Sequence, residues 1–257
     1  FWPERHHPAG ARPGAMLTQS RAPGPAGEAA EPPARHGGPG AVETVVPFYV
    51  DLGLAQASSV AHFPGLLSAA DLEAVLACHA AAAAAGDALE LNPQNRTHRH
   101  KTCLFLHGPA APDEARLVSR APRVLAKLLR AAVEAQGRCA WSSGSGAPLP
   151  GVDVRLLSIR VVELWHYEPG GGLTDEQHYD AGSVITIVCL ACEGSDFTGG
   201  VFRTWEVGGE HLEHAMAHGD VICFVSHKYH NVTPVLSGRR VSLVIELWQG
   251  GLSMWCR

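Results

Sequence analysis

His178 and Asp180 are the residues whose types and spacing most directly suggest chemistry. They stand two apart in the segment Tyr167-Glu-Pro-Gly-Gly-Gly-Leu-Thr-Asp-Glu-Gln-His178-Tyr-Asp180. On a strand or an extended turn, residues i and i+2 point the same way, so one imidazole and one carboxylate converge on a point. A further imidazole from a distant strand would complete a two-histidine, one-carboxylate face. Such a face leaves positions open on an octahedral ion and suits non-haem Fe(II). The H-x-D spacing alone arises by chance in many chains, so its weight depends on what else the sequence supplies.

The remaining parts lie in the second half, in Gly219-Asp-Val-Ile-Cys-Phe224-Val-Ser-His227-Lys-Tyr-His230-Asn-Val-Thr-Pro-Val-Leu-Ser-Gly238-Arg-Arg240-Val-Ser242. A strand leads to two candidate ligands, His227 and His230. A Pro and Gly turn follows, then a strand that opens with Arg240 and Ser242 on one face. A guanidinium beside a hydroxyl makes a carboxylate socket, because arginine binds both oxygens at once. A metal face near such a socket suggests a dicarboxylate that chelates the ion at its other end.

Three other features are weighed against this site. His211, His214 and His218 would share one face of a helix and offer zinc ligands. Gly208-Gly209 and Gly219-Asp220 bracket that segment, so solvated turn histidines are expected instead. Cys189 and Cys192 form a lone C-x-x-C in a β-branched run. Residues three apart on a strand face opposite ways, so buried structural thiols are expected rather than a redox pair or zinc knuckle. The seven cysteines are irregularly spaced, which argues against a disulfide framework. Sequons occur at Asn95 and Asn231, and a glycan on Asn231 would crowd His230.

The elements that must position these residues are mostly strands. Candidates are 154–167, 183–191, 200–206, 220–226 and 241–248, short and β-branched with Gly-rich turns between them, which argues for an antiparallel sandwich or barrel. Upstream, Thr44 to Leu52 reads as a strand and Asn92 to Lys101 as a polar loop or substrate-facing rim. One helix is expected from the Ser68-Ala-Ala-Asp71 cap to Ala85. Another is expected over Ala121 to Gln136, with Pro122 in its first turn and Leu125, Leu128, Leu129 and Val133 on one face. Residues 138–151 read as a Ser/Gly/Pro linker.

The 257 residues are 46% hydrophobic and 18% charged, with mean hydropathy +0.01, which is ordinary for a globular protein. Net charge is −5, so no global basic field attracts nucleic acid, although Arg96, His98, His100 and Lys101 could form a local basic rim. The longest apolar run, Val184 to Cys192, is about half of the ~20 residues a spanning helix needs. Residues 1–40 hold eight of the 18 prolines and seven of the 28 glycines and read as a disordered arm. Because the chain begins at Phe1 rather than Met, a natural start further upstream is expected, and the lack of a visible secretory segment weighs little.

Taken together, the motifs resemble the catalytic domain of 2-oxoglutarate- and Fe(II)-dependent dioxygenases, in the prolyl 4-hydroxylase-like branch. The resemblance covers roughly residues 160–250. It rests on Tyr167-Glu-Pro-Gly170, His178-Tyr-Asp180, Phe197-Thr-Gly-Gly200, Gly219-Asp220 with Phe224, and His230 through Ser242, in that order. It implies a mostly β protein with flanking helices around a double-stranded β-helix, or jelly roll. It divides the chain into an arm at 1–42, an N-terminal strand and supporting helices at 43–150, and the catalytic core at 151–252. By the same resemblance His178, Asp180 and His230 bind the iron. Arg240, with Ser242, takes the far carboxylate of 2-oxoglutarate, and Tyr167 hydrogen-bonds the same co-substrate. For Tyr167 the alternative is a barrel-core aromatic.

The implied reaction uses Fe(II), 2-oxoglutarate and O2, with ascorbate as reductant, and hydroxylates an unactivated C–H bond of a protein or peptide, foremost a prolyl side chain. The loop between Tyr167 and His178 is longer than the family pattern and lacks its second aromatic. The alternatives are a nucleobase or small metabolite as substrate, and a barrel that binds without turnover. An intracellular location is expected.

Overall fold

The computed structural model describes residues 50–84, 98–106 and 115–250. The arm at 1–42, residues 44–49 of the expected first strand, and Asn95 lie outside the described residues. The elements in order are helix α1 (Leu52–Ala57), strand β1 (Ala61–Phe63), α2 (Ala69–Ala84), β2 (His98–Phe105), α3 (Leu117–Arg120), α4 (Pro122–Arg138), β3 (Ser158–Leu173), β4 (Ile185–Leu190), β5 (Phe197–Gly199), β6 (Phe202–Trp205), β7 (His211–His214), β8 (Val221–Val225), β9 (His230–Val232), β10 (Val235–Gly238) and β11 (Arg240–Trp248).

All strand pairings among the described residues are antiparallel. The long strand β3 serves two runs of the curled sheet. Along most of its length it joins β1-β8-β4-β11-β3, with β2 paired on its other edge. At Leu173 it pairs with Val232 and leads into β9-β6-β7. This is the jelly roll that the resemblance implies, and it is one form of the antiparallel sandwich or barrel expected from the strand pattern. β11 lies between β3 and β4, so its side chains alternate between the cavity of the roll and the helix-covered face.

The helices pack on one face. α4 starts with Pro122, which fits the first turn because no backbone N–H is needed there. It lays Val124, Leu125, Leu128, Ala131, Ala132 and Ala135 against β1, β4 and β8. Val133, expected on that face, is exposed, because the stripe is centred on Leu128 and Ala131. α2 begins at a reciprocal cap: Ser68 N–H donates to Asp71 Oδ2 at 2.9 Å, and Asp71 N–H donates to Ser68 Oγ at 3.3 Å.

Four expectations are corrected. Leu52 enters a helix rather than a strand, because the Asp51 carboxylate accepts from Leu54 N–H at 2.9 Å and caps α1. His98 to Lys101 belong to β2 and pair with β3, so tertiary pairing overrides a polar composition that reads as loop. Residues 138–151 are a packed turn rather than a linker. Trp141 and Leu149 are fully buried there, and Trp141 Nε1 donates to Ser59 O at 2.9 Å. His211 to His214 form β7 rather than a turn. The short strands β1, β5, β9 and β10 were not legible in the sequence pattern, since each has too few residues to show alternation.

Gly219 governs the entry to β8. Its φ is +82°, a Cβ there would lie 2.1 Å from Leu67 O, and its backbone N–H donates to Leu190 O at 2.9 Å. Gly219→Ala is therefore expected to lower stability by about 3 kcal/mol, from left-handed strain and backbone collision together, read by equilibrium urea unfolding.

Candidate metal centre and carboxylate socket

The H-x-D segment lies in the loop between β3 and β4. Asp175 Oδ1 accepts from Gln177 N–H at 3.0 Å, and His178 N–H donates to Asp175 O at 3.3 Å, which turns the chain into the pair. His178 Nε2 then lies 3.2 Å from Asp180 Oδ1. The third member arrives on β9, where His230 Nε2 lies 3.6 Å from Asp180 Oδ2. Candidate donor atoms of His178, Asp180 and His230 all fall within 4.8 Å of one another, the one such cluster among the described residues. Backbone bonds tie the segments together: His230 N–H donates to His178 O, and Asp180 N–H to Ser226 O, each at 2.9 Å.

Surrounding groups orient each member. Thr186 Oγ1 donates to Asp180 Oδ2 at 2.7 Å and also contacts Ser226 Oγ at 2.9 Å. The His230 ring packs between Phe224 and Phe202, with centroids 4.8 and 6.0 Å away. His230 Nδ1 lies 3.0 Å from Lys228 O. A carbonyl only accepts, so Nδ1 carries the proton and Nε2 turns its lone pair to the cluster. His227, the rival ligand, stands apart from the cluster. It is buried and stacks on Tyr179 at 5.4 Å, and burial depresses its pKa.

The same cavity holds the expected socket. On β11, Arg240, Ser242, Val244 and Glu246 alternate into it, opposite Tyr167, Trp165 and Glu163 of β3. Arg240 is 1% exposed, and its Nη1 donates to Ser242 Oγ. Its Nε has no hydrogen-bond partner, and no carboxylate among the described residues forms an ion pair with it. Burial lowers its pKa, but a guanidinium remains charged. A buried cation without a counter-ion is costly, and an anion entering the cavity would offset that cost. Gly200 lets it pass: a Cβ there would lie 2.8 Å from Arg240 Cδ. Tyr167 lines the cavity with its phenol buried, and burial pushes its pKa up, so it stays a neutral donor.

Leu173, Val188, Phe202, Val232 and Val244 supply the apolar wall. Sequence reasoning singled out neither Thr186 nor Glu246. For Glu246 a signal existed, because the alternation that pairs Arg240 with Ser242 continues to it along β11. Its carboxylate accepts from Ser183 Oγ and lies 3.3 Å from Arg160 Nη1, which also donates to Ala181 O at 2.6 Å. That cluster braces the turn just after Asp180.

The rival sites dissolve. His214 Nε2 bonds Thr204 Oγ1 at 2.8 Å, His218 Nδ1 lies 2.6 Å from Glu193, and His211 is exposed, so the three do not converge. Cys189 and Cys192 are buried free thiols, with pKa values raised by burial, and Cys192 Sγ accepts from Val241 N–H at 3.2 Å. Asn231 is buried beside His230.

His214 carries a pH dependence. Burial, with the nearby charges of His62 and Lys228, lowers its pKa to about 4. The unfolded chain then binds this proton first, so stability is expected to fall as pH drops from about 6.5 toward about 4. His214→Gln, which keeps a partner for Thr204, should flatten that part of the stability curve, checked by urea unfolding at stepped pH.

No family model matches the chain, and no curated protein matches it. Solved structures do. A prolyl-4-hydroxylase of Pseudomonas putida superposes with a TM-score of 0.52 at 18% identity, over 78% of this chain and 100% of that one. A prolyl hydroxylase from Trichoplax adhaerens, in complex with a hypoxia inducible factor oxygen degradation domain peptide, gives 0.50 at 13% identity over 77% and 87%. The non-haem α-ketoglutarate-dependent epimerase SnoN of nogalamycin biosynthesis gives 0.50 at 16% identity over 76% and 80%. At these identities the likeness is one of architecture, and the chain shares the jelly-roll fold of these two prolyl hydroxylases and the α-ketoglutarate-dependent epimerase.

Proposed function

We propose that the protein is an Fe(II)- and 2-oxoglutarate-dependent dioxygenase. The observation that carries this reading is the juxtaposition, in one cavity, of the His178, Asp180 and His230 cluster with a buried Arg240 that has no carboxylate partner among the described residues. The donors fit the ion. An ion held at about 2.1 Å by three donors on one octahedral face sets those donors about 3 Å apart. His178 Nε2 lies 3.2 Å from Asp180 Oδ1 and His230 Nε2 3.6 Å from Asp180 Oδ2, and one donor atom from each residue falls within 4.8 Å of the others, so the three gather near such a face with modest closing on the ion. Two imidazoles and a carboxylate suit Fe(II) and leave the opposite face open.

When bound, the iron with O2 and 2-oxoglutarate supplies the oxidation: the co-substrate becomes succinate and CO2, and a substrate C–H becomes C–OH. The chain's own residues do the rest. His178, Asp180 and His230 hold the ion from one side, and Thr186 keeps the Asp180 carboxylate turned toward it. Arg240 receives the far carboxylate of 2-oxoglutarate, with Ser242 setting the guanidinium plane and the neutral Tyr167 phenol lining the same cavity. The apolar wall keeps water from the reacting atoms.

For the substrate we propose a protein or peptide, with a prolyl side chain first, supported by the likeness to the two prolyl hydroxylases. The likeness to an epimerase of antibiotic biosynthesis supports a small metabolite as the second reading. Ascorbate is proposed as the reductant that restores iron after unproductive turnover. Among the described residues no helix is long and apolar enough to cross a membrane.

The test is anaerobic titration of the Fe(II) protein with 2-oxoglutarate, followed by succinate release across prolyl peptides, nucleic acids and small acids. A metal-to-ligand absorption band and Fe(II)-dependent succinate are expected. Failure of the wild-type protein to bind 2-oxoglutarate would sink the assignment.

A further inference from the structure

The turn that presents His230 is held by a residue far away in the chain. Between β8 and β9, the carbonyls of residues 226–229 each have an identifiable partner. Ser226 O accepts from Asp180 N–H at 2.9 Å, and Tyr229 O from Trp205 N–H at 2.9 Å. Lys228 O accepts from His230 Nδ1 at 3.0 Å. His227 O accepts from Gln56 Nε2 at 3.0 Å, while Gln56 Oε1 accepts from Tyr229 N–H at 2.9 Å. The Gln56 carbonyl in turn accepts from Lys228 Nζ, whose other partner is Glu206 at 3.1 Å. Gln56 is 9% exposed and the Lys228 side chain 0%, so water does not substitute for these bonds.

We infer that Gln56 is a positioning residue for the metal centre: its amide clamps both sides of Lys228, and so fixes which way His230 faces and which of its nitrogens is free. The inference rests on the reading of His230 as an iron ligand. An amide is required because the turn offers one acceptor and one donor, and only a group that both donates and accepts satisfies them. A carboxylate at this place would oppose the His227 carbonyl, and an aliphatic chain would leave both backbone groups buried and unmet. Without the clamp the Lys228 carbonyl swings, the His230 Nδ1 bond is lost, and the tautomer with a free Nε2 is no longer selected. The same clamp holds His227 against Tyr179, away from the cluster. The Gln56–Lys228 contact joins α1 to the turn directly, so a short helix outside the barrel core takes part in the ligand geometry.

The test uses the whole chain loaded with Co(II), whose d–d bands report ligand geometry without turnover. Wild type, Gln56→Ala, Gln56→Met (which keeps the volume) and the core control Leu128→Ala are compared for Co(II) affinity, band shape and thermal stability. Loss of about 10- to 100-fold in Co(II) affinity with a changed band is expected for both Gln56 variants, the range seen for groups that orient metal ligands. The Leu128→Ala protein should keep wild-type affinity and band despite a lower Tm. Gln56→Asn, which shortens the reach but keeps the amide, should recover part of the affinity. If either folded Gln56 variant binds within about threefold of wild type with an unchanged band, the inference falls. The same holds if affinity merely tracks Tm across all variants, Leu128→Ala included. If wild type itself binds no Co(II), it is the metal-centre reading that fails.

Discussion

Arg240→Leu is expected to weaken 2-oxoglutarate binding by at least about 30-fold while leaving the apo protein as stable as wild type or more so. The two signs come from one fact. Among the described residues the buried guanidinium has the Ser242 hydroxyl as its hydrogen-bond partner, and its Nε is unmet. In the free protein it is a desolvated charge without a counter-ion, and replacing such a group by an apolar side chain of similar volume is commonly neutral or stabilising. In the proposed complex it is the guanidinium that meets the far carboxylate. Truncating one partner of a buried charge pair costs about 2–5 kcal/mol, or roughly 30- to several-thousand-fold in affinity. Arg240→Lys should fall between, because a point charge replaces a planar fork. Anaerobic titration gives the affinities and urea unfolding the stabilities. A core role for Arg240 would show instead as a large stability loss with unchanged 2-oxoglutarate affinity.

Asp180→Ala is expected to abolish metal binding, with a loss of more than about 100-fold in affinity, since it removes a ligand outright rather than a group that orients one. Asp180 is the hub of the cluster: His178 approaches one of its oxygens and His230 the other, and Thr186 anchors the second. Its removal also frees the histidines from the acid that gathers them. The ion binds the folded state, so saturating metal should raise the wild-type stability by about 2.7 kcal/mol at a hundredfold excess over Kd. The Asp180→Ala protein should show no such rise. Differential scanning calorimetry with and without Co(II) measures this, and an equal metal-induced rise in both proteins would remove Asp180 from the ligand set. Because ligands bind in their deprotonated forms, wild-type affinity should also fall on acidification.

Much of this site is local and therefore readable along the chain. His178 and Asp180 converge because residues two apart on extended backbone share a side, and Arg240 joins Ser242 for the same reason. The amphipathic stripe of α4 and the Ser68 cap of α2 are equally local, and both elements end within a few residues of their expected bounds. Errors gathered where the deciding contact is distant. His98 to Lys101 are polar yet form a strand, because β3 offers them a ladder. His211 to His214 form one because β6 does. Trp141 turns a Gly/Ser-rich stretch into a packed turn by reaching Ser59.

By itself, then, the sequence determined the residue types of a two-histidine, one-carboxylate site, the pairing of Arg240 with Ser242, and a mostly β barrel to carry them. Backbone alternation is a property of neighbours, and it survives whatever the rest of the chain does. The structure brings His230 rather than His227 to the cluster, in line with the resemblance, and it alone decided that Arg240 has no carboxylate partner among the described residues and that Gln56, 171 residues from His227, holds the turn between β8 and β9. Those are questions of which distant groups satisfy a buried donor, acceptor or charge, and burial and pairing are settled only when the sheet closes.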